Sequence, residues 1–473
     1  MSKSQPNETK GVKTLLGEPK KAIIRLAIPM MLAMSVSTLY NLVDGLWVSG
    51  LGANALAAVG FVFPFFFMIL AFATGLGVGG GAAISRRIGA DDKKGADNVA
   101  VHTIIIMLIL AISFSIPFFV FAEDIFSLMS EGIVAAMATS YAHVIALGSV
   151  IMFFSFVSNA ILRSEGDAKR AMYAIMLGAG LNIVLDPFFI YENITLGGIT
   201  INALGLGVAG AAWASVLSMS ISSTFLFNWL FLKKDTYVSF TFHDFHFDKL
   251  IIKDIFRVGL PASITQLSMS IMMLMMNFIL VGVGGTNGVA VFSAGWRVVT
   301  MATMPLLGIT SAVVTVIGAA YGAKDYKKLD TAYMYAIKIG AIIGSIIALA
   351  TFILAPLITM AFTQAENSVR PEDLTLFLRV VCVFYPAVAF GMFSSSMFQG
   401  TGKGMYSLIV TVFRTIVLIL PLAWIFSNIL GLGLAGVWIG LVVANIIGSL
   451  IAFTWGKLYV RNLRKHGVKT DRL

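Results

Sequence analysis

One cysteine, Cys382, occurs in 473 residues, and a single thiol excludes an intramolecular disulfide and a cysteine-based metal site. Charge is scarce as well. Only 12% of residues are Asp, Glu, Lys or Arg, against 58% hydrophobic, and that balance excludes a water-soluble globular chain. No Walker-type phosphate loop, nucleophile elbow or metal-ligand spacing is present, so an ATP-driven pump or a membrane hydrolase has no machinery here, and no enzyme is expected. The net charge of +10 does not point to nucleic acid, because the basic residues sit in short loops between apolar runs rather than on one folded face. The first twenty residues are polar and Lys-bearing, so no cleavable signal peptide is expected.

What fills the chain is apolar sequence, with mean hydropathy +0.91, in stretches long enough to cross a bilayer. Windows of about 19 residues predict twelve membrane helices, near 22–48, 55–83, 98–122, 138–162, 170–191, 205–232, 255–283, 288–319, 331–361, 376–400, 404–427 and 433–458. With the N-terminus inside, most of the 33 lysines and arginines fall in cytoplasmic loops, such as Arg86, Arg87, Lys93, Lys94, Lys324, Lys327 and Lys328. The opposite loops carry Glu123, Asp124, Glu131, Glu192, Glu366, Glu372 and Asp373. This positive-inside bias places both termini in the cytoplasm.

The two halves repeat. Ile28-Pro29 recurs 232 residues later as Leu260-Pro261, and Gly50-Leu51-Gly52 as Gly282-Val283-Gly284. Gly89-Ala90-Asp91-Asp92-Lys93-Lys94 matches Gly322-Ala323-Lys324-Asp325-Tyr326-Lys327-Lys328, and Met172-Tyr173 matches Met405-Tyr406. The run from Gly205 to Trp213 recurs from Gly431 to Trp438. Six spans per copy make a parallel repeat about an axis along the membrane normal. The expected fold is an all-α integral membrane protein, two pseudo-symmetric six-helix bundles around a central cleft. Residues 1–21 form a cytoplasmic segment, 22–232 the N-terminal bundle, 233–254 a cytoplasmic linker, 255–458 the C-terminal bundle and 459–473 a cytoplasmic tail.

An ionisable group inside a membrane helix costs at least a few kcal/mol, so each one asks for a reason. Asp44 lies in the first span with Tyr40 one turn below, and Asp186 in the fifth with Asn182 one turn below. Pro187 removes a backbone donor and frees a carbonyl near Ile183. The repeat supplies an internal control, since Asp44 maps to Met276 and Asp186 to Ile419. A folding requirement common to both bundles would not drop both acids from one. Two carboxylates at similar depth resist ionising together, so the pair reads as a site for a proton, or for sodium held with Asn182 and backbone oxygens. The competing reading is a packing device, hydrogen-bonded or paired with Arg297 or Arg414.

Tyr141 and His143 in the outer part of the fourth span and Asn159 further down are candidates for the same cavity; lone polar groups in membrane helices otherwise serve helix–helix hydrogen bonds. Arg297 and Arg414 are open to two readings, a charge pair closing the cleft or part of a substrate surface. The cluster Met272, Met273 and Met276, flexible and polarizable, suits a cavity that fits many apolar shapes; the alternative is lipid-facing filler. His243, Asp244 and His246 fall in an alternating stretch, Val238 to Phe247, that reads as interfacial rather than metal-binding. Gly75 to Gly81 reads as close helix packing or a hinge.

These residues resemble the multidrug and toxic compound extrusion (MATE) transporters over nearly the whole chain. The likeness rests on the paired Leu-Ala-Ile-Pro and Val-Gly-Leu-Pro starts of spans one and seven, the Gly-Ala-Asp and Gly-Ala-Lys-Asp loops, and the turn Gln399-Gly400-Thr401-Gly402-Lys403. The acid in the first span with a polar and acidic fifth span is similar to the DinF-like branch. That branch implies an N-terminal cation site at Asp44, Asn182 and Asp186, with Tyr141 and Asn159 as neighbours. The NorM-like branch carries acids in the seventh and tenth spans, and none stands between Pro261 and Val283 or between Leu374 and Gly400. The resemblance implies export of amphiphilic, often cationic compounds by H⁺ or Na⁺ antiport, with no cofactor beyond the coupling ion. A monomer in the plasma membrane, surrounded by the lipid bilayer, is expected. Lipid or lipid-linked oligosaccharide flippases share the broader superfamily and would need a cleft lined by several cations. A channel would show an open-pore current without saturable exchange.

Overall fold

The computed structural model describes residues 9–196, 199–233, 235–240, 245–365 and 370–467. In order, the helices are α1 (Lys10–Leu16), α2 (Pro19–Ser49), α3 (Ala53–Gly89), α4 (Lys93–Met129), α5 (Ile133–Ser164), α6 (Ala168–Ile190) and α7 (Gly207–Phe227). After them come α8 (Lys249–Gly322), α9 (Tyr326–Ala365), α10 (Pro371–Val381), α11 (Tyr385–Gly400), α12 (Gly404–Val412), α13 (Ile419–Trp424) and α14 (Gly433–His466). A short antiparallel hairpin, β1 (Asn193–Leu196) and β2 (Ile199–Asn202), pairs Asn193 with Asn202 and Leu196 with Ile199 between α6 and α7. The sequence reading contains no such strands; their four-residue length gives alternation too little room to register.

Eleven helical stretches among the described residues are long and apolar enough to cross a membrane. The 74-residue α8 is two of the predicted spans, broken at Gly285, where φ is 58° and ψ −150°. Pro371–Gly400 and Gly404–Ile429 are single spans assembled from α10 with α11 and from α12 with α13. In lipid every backbone N–H and C=O has to be satisfied within the segment, and a helix does that locally. Ile342, Ile346, Leu349, Ile353 and Leu357 of α9 recur every three to four residues and are all exposed, an apolar stripe that only a hydrocarbon solvent would accept.

The repeat extends to backbone conformation. Non-glycine residues with positive φ are confined, among the described residues, to Asp91 and Lys324 at 57° and 56°, the same place in the two matching loops. Gly205 and Gly207 at 61° and 58° answer to Gly431 and Gly433 at 64° and 57°.

The chain divides into two compact units. One holds the described parts of Met1–Lys13 with Leu32–Ile84 and Asp92–Leu260; the other holds Thr14–Met31, Ser85–Asp91 and the described parts of Pro261–Leu473. Residues 22–31 and 85–91 of the expected first bundle fall in the second unit, and 255–260 of the expected second bundle fall in the first. Residues 14–31 group with the second unit because Gly308 lets α8 pack directly on the backbone of Met31, and Pro261 rather than residue 255 begins the unit's long stretch.

In the first unit α4 packs on α5, and α7 on both α5 and α6. Gly79, from the glycine run, backs onto the carbonyl of Ile255, where a Cβ would come within 2.3 Å of the oxygen; the run serves close packing. In the second unit Phe292, Phe377 and Trp438 form a buried aromatic core, Phe377 edge-on to Trp438 at 4.7 Å and Phe292 stacked on it at 6.2 Å. Such pairs add roughly 0.5–1.5 kcal/mol beyond area burial. Trp438 is 1% exposed, whereas its repeat partner Trp213 is 40% exposed, so the copies share a backbone and differ in what they bury.

Candidate functional site

Within the first unit, the C-terminal ends of α2 and α6 meet over a small apolar cluster of Val48, Ile190 and Ala211, flanked by Trp47, Tyr141 and Tyr191. The Tyr191 hydroxyl donates to the Trp47 carbonyl at 2.7 Å, and the two rings meet edge-on at 6.1 Å. One turn below this clasp on α2 stands Asp44, and five residues before Tyr191 on α6 stands Asp186.

The two acids face one another closely enough to share a hydrogen bond. Asp186 and Asn182 are buried. The Asn182 amide donates to Ser215 Oγ at 3.1 Å. Both Asp186 carboxyl oxygens and Asn182 Oδ1 are then buried without a hydrogen-bond donor among the described residues. Carboxylate and amide oxygens are acceptors only, and facing acceptors repel unless a proton or a cation stands between them. The Tyr40 hydroxyl pairs with Ser215 and lies beside both acids, and Tyr141 lies beside Asp44, Tyr40 and Asp186. The arrangement therefore offers convergent oxygens in a low-dielectric site, able to take up one proton or to coordinate a hard monovalent cation.

Five sequence candidates come together here: Asp44, Asp186, Asn182, Tyr40 and Tyr141. Ser215 of α7, which joins Tyr40 to Asn182, is an addition. Its signal lay in the repeat, because the offset of 225 that aligns Trp213 with Trp438 puts Gly440 opposite Ser215, so the second copy lacks this hydroxyl just as it lacks both acids. Asn159 is not among the group. It is buried and donates to the Ala171 carbonyl at 2.8 Å, some fifteen residues before Asp186, about 22 Å along α6; it ties α5 to α6. His143 packs on Phe119 at 4.5 Å.

The remaining candidates belong to the second unit. Met272 and Met276 are buried and Met273 is exposed. Arg297 is exposed on α8, and Arg414 is buried. His243 and Asp244 lie outside the described residues, and among those described no three His, Cys, Asp or Glu side chains are grouped to hold a metal ion.

Comparison with known proteins covers most of the chain. The family model described as MatE matches residues 29–188 and 261–425, one segment in each repeat. A crystal structure of MATE in complex with MaL6 is 49% identical, covers 97% of this chain and 100% of that one, and superposes with a TM-score of 0.92. An outward-facing multidrug resistance MATE family transporter of the MOP superfamily is also 49% identical, covering 97% and 99%, with a TM-score of 0.90. The multidrug export protein MepA of Staphylococcus haemolyticus is 24% identical over 434 residues, 91% of this chain and 92% of MepA.

Proposed function

The chain belongs to the MatE family of multidrug and toxic compound extrusion transporters, and from that premise we propose that it exports amphiphilic, often cationic compounds in exchange for H⁺ or Na⁺ bound at Asp44 and Asp186. One observation carries the reading, the buried Asp186 carboxyl facing the Asp44 carboxyl in a membrane helix bundle, with both Asp186 oxygens lacking a well-formed hydrogen bond among the described residues. Loading a single positive charge removes the repulsion, so the occupied and empty forms differ in energy. That difference is what an antiporter uses to link ion binding to a change in exposure of the substrate site. Asp44 and Asp186 bind the ion, Asn182 and Ser215 hold the acceptor oxygens in position, and Tyr40 and Tyr141 shield the site. Acids in the first and fifth spans and their absence from the seventh and tenth support the DinF-like branch. It acts as a monomer in the plasma membrane with both termini in the cytoplasm.

The energetics suffice. One monovalent cation moving down 100 mV yields about 2.3 kcal/mol, which sustains roughly a 50-fold concentration ratio of substrate at tight coupling. The relatives are named for multidrug export, so the flippase reading is not favoured. The test is efflux of a fluorescent cationic amphiphile from proteoliposomes under an imposed pH gradient and, separately, an imposed sodium gradient. One gradient should drive accumulation against the concentration gradient; a protein that responds to neither is not an antiporter of these ions.

A further inference from the structure

Two helix ends that occupy the same place in the two repeats cross each other in the second unit. Gly89 is the last residue of α3 and Gly322 the last of α8. A Cβ on Gly89 would lie 1.9 Å from the carbonyl oxygen of Ala319, and a Cβ on Gly322 would lie 1.9 Å from that of Arg86. At the offset of 233, Gly89 answers to Gly322 and Arg86 to Ala319. The contact is therefore reciprocal, each closing glycine resting on the carbonyl three residues before the other. Both oxygens are main-chain atoms held in a helix, so nothing larger than glycine fits without parting the two ends. A backbone crossing this close is made of Cα–H···O and dispersion contacts, each of them weak.

Of α3, residues 85–89 belong to the second unit, whereas everything up to Ile84 belongs to the first. Across that point α3 is uninterrupted helix, and its only proline, Pro64, lies well before it. Gly77, Gly79 and Gly80 of the glycine run are each closed on a neighbour within the first unit, respectively Ala160, Ile255 and Thr103. The helix thus has no loose joint at which its tip could stay behind when the rest moves. Arg86 strengthens the hold. Its Nη1 donates to the Gly400 carbonyl at the end of α11 at 3.3 Å, and a Cβ on Gly402, in the turn that follows, would lie 3.4 Å from the Arg86 Cζ. Ala319, at the matching position of the second copy, has no side chain that could do the same.

We propose that Gly89, Gly322 and Arg86 form a latch that holds the tip of α3 on the second unit and has to release before the transport path opens on that side. In the orientation proposed above these tips face the cytoplasm, so the latched form is closed to the cytoplasm and the released form is open to it. Weak contacts suit the task. A contact that is broken and remade in every cycle has to be small enough for a bound ion or substrate to tip the balance between the two forms. The latch rests on the alternating exposure proposed for this transporter and adds the element that changes state; it does not depend on which ion is exchanged.

The test reads the latch itself before it reads transport. In the full chain carrying Cys382→Ala, Lys94→Cys and Lys327→Cys put spin labels on two exposed positions that are equivalent in the repeats, and pulsed dipolar spectroscopy in nanodiscs measures the distance between them with no gradient applied. Gly89→Ala and Gly322→Ala should each raise the ratio of long-distance to short-distance populations at least about tenfold, the scale on which overpacking a close contact shifts an equilibrium. Arg86→Met inserts no bulk and should shift the same ratio in the same direction by a smaller factor; it decides the matter if neither alanine variant folds. Joining the two cysteines with a cleavable bifunctional thiol reagent should stop efflux, and cleaving the link should restore it. Distances that stay as in the wild type in every folded variant, or full-rate efflux from the linked protein, would overturn the latch. Wild-type protein that moves no substrate under either gradient defeats the exchange reading instead, and the distance measurement still decides on the latch.

Discussion

The hydroxyl of Tyr191 reaches across to the main-chain carbonyl of Trp47, and this bond sets the spacing between α2 and α6 at the level where their acids stand. Both residues also pack on the cluster of Val48, Ile190 and Ala211, so the ring stays anchored when the hydroxyl is removed. Tyr191→Phe therefore loses about 1 kcal/mol of net hydrogen bonding without leaving a cavity. We expect the unfolding temperature to fall by no more than a few degrees and the apparent cation affinity in gradient-driven efflux to weaken about three- to tenfold, because the acids drift apart. Unchanged ion affinity in the variant would show that the clasp is not what spaces them.

Asp44→Asn and Asp186→Asn each replace a carboxyl that can exchange a charge with an amide that cannot. The shape is nearly conserved, and the amide brings a donor to a cluster that lacks one, so the purified variants should unfold at the wild-type temperature or slightly above. Gradient-driven efflux should fall by two orders of magnitude or more in either variant. A full-rate Asp44→Asn transporter would leave the proposed coupling without a seat.

Ser215 separates positioning from binding. Its hydroxyl joins Tyr40 to Asn182 without lying among the oxygens that take the ion. Ser215→Ala should lower apparent cation affinity several-fold and leave the maximal efflux rate near wild type, and Ser215→Thr should restore most of the affinity. A lowered maximal rate at saturating ion would instead place Ser215 in the transport step itself.

Much of this could be read beforehand for physical reasons. A span of about 20 apolar residues is a long signal, and the repeat made the two acids conspicuous because one copy lacks them. Ser215 escaped because a lone serine in a membrane helix is common and acquires meaning only beside Asn182, which sits 33 residues away. Asn159 stayed open to two readings for the converse reason, since a buried amide looks the same in sequence whether it meets an ion or the carbonyl of Ala171. Met272 and Met276 were ambiguous because periodicity marks a face without saying what covers it. The kinked span pair in α8 was legible from Gly282-Val283-Gly284, one residue short of the break at Gly285.

The linker after α7 is pinned to the first unit by side chains that accept its backbone N–H groups, and one of them titrates in a measurable range. Glu165, at the turn after α5 and 2% exposed, accepts from the Val238 N–H at 3.0 Å. Asp97 accepts from Ser239 at 2.7 Å, His102 Nε2 from Asp248 at 2.9 Å, and Arg170 grips Asp235 with Nη1 at 3.0 Å. Burial pushes the Glu165 carboxyl from its ordinary 4.5 up to about 8, with the Val238 N–H pulling the other way. A docked Glu165 thus holds a proton that an undocked one releases. The contribution to docking is complete below about pH 4.5 and is lost as pH rises through about 8. Between those limits the docking equilibrium weakens by close to tenfold per pH unit. Hydrogen exchange at the Val238 amide, corrected for the intrinsic rate, should lose protection from pH 6 to pH 8 in the wild type and stay flat in Glu165→Gln, whose amide is neutral throughout. Protection that increases with pH would mean that the linker is held by the ionised carboxylate.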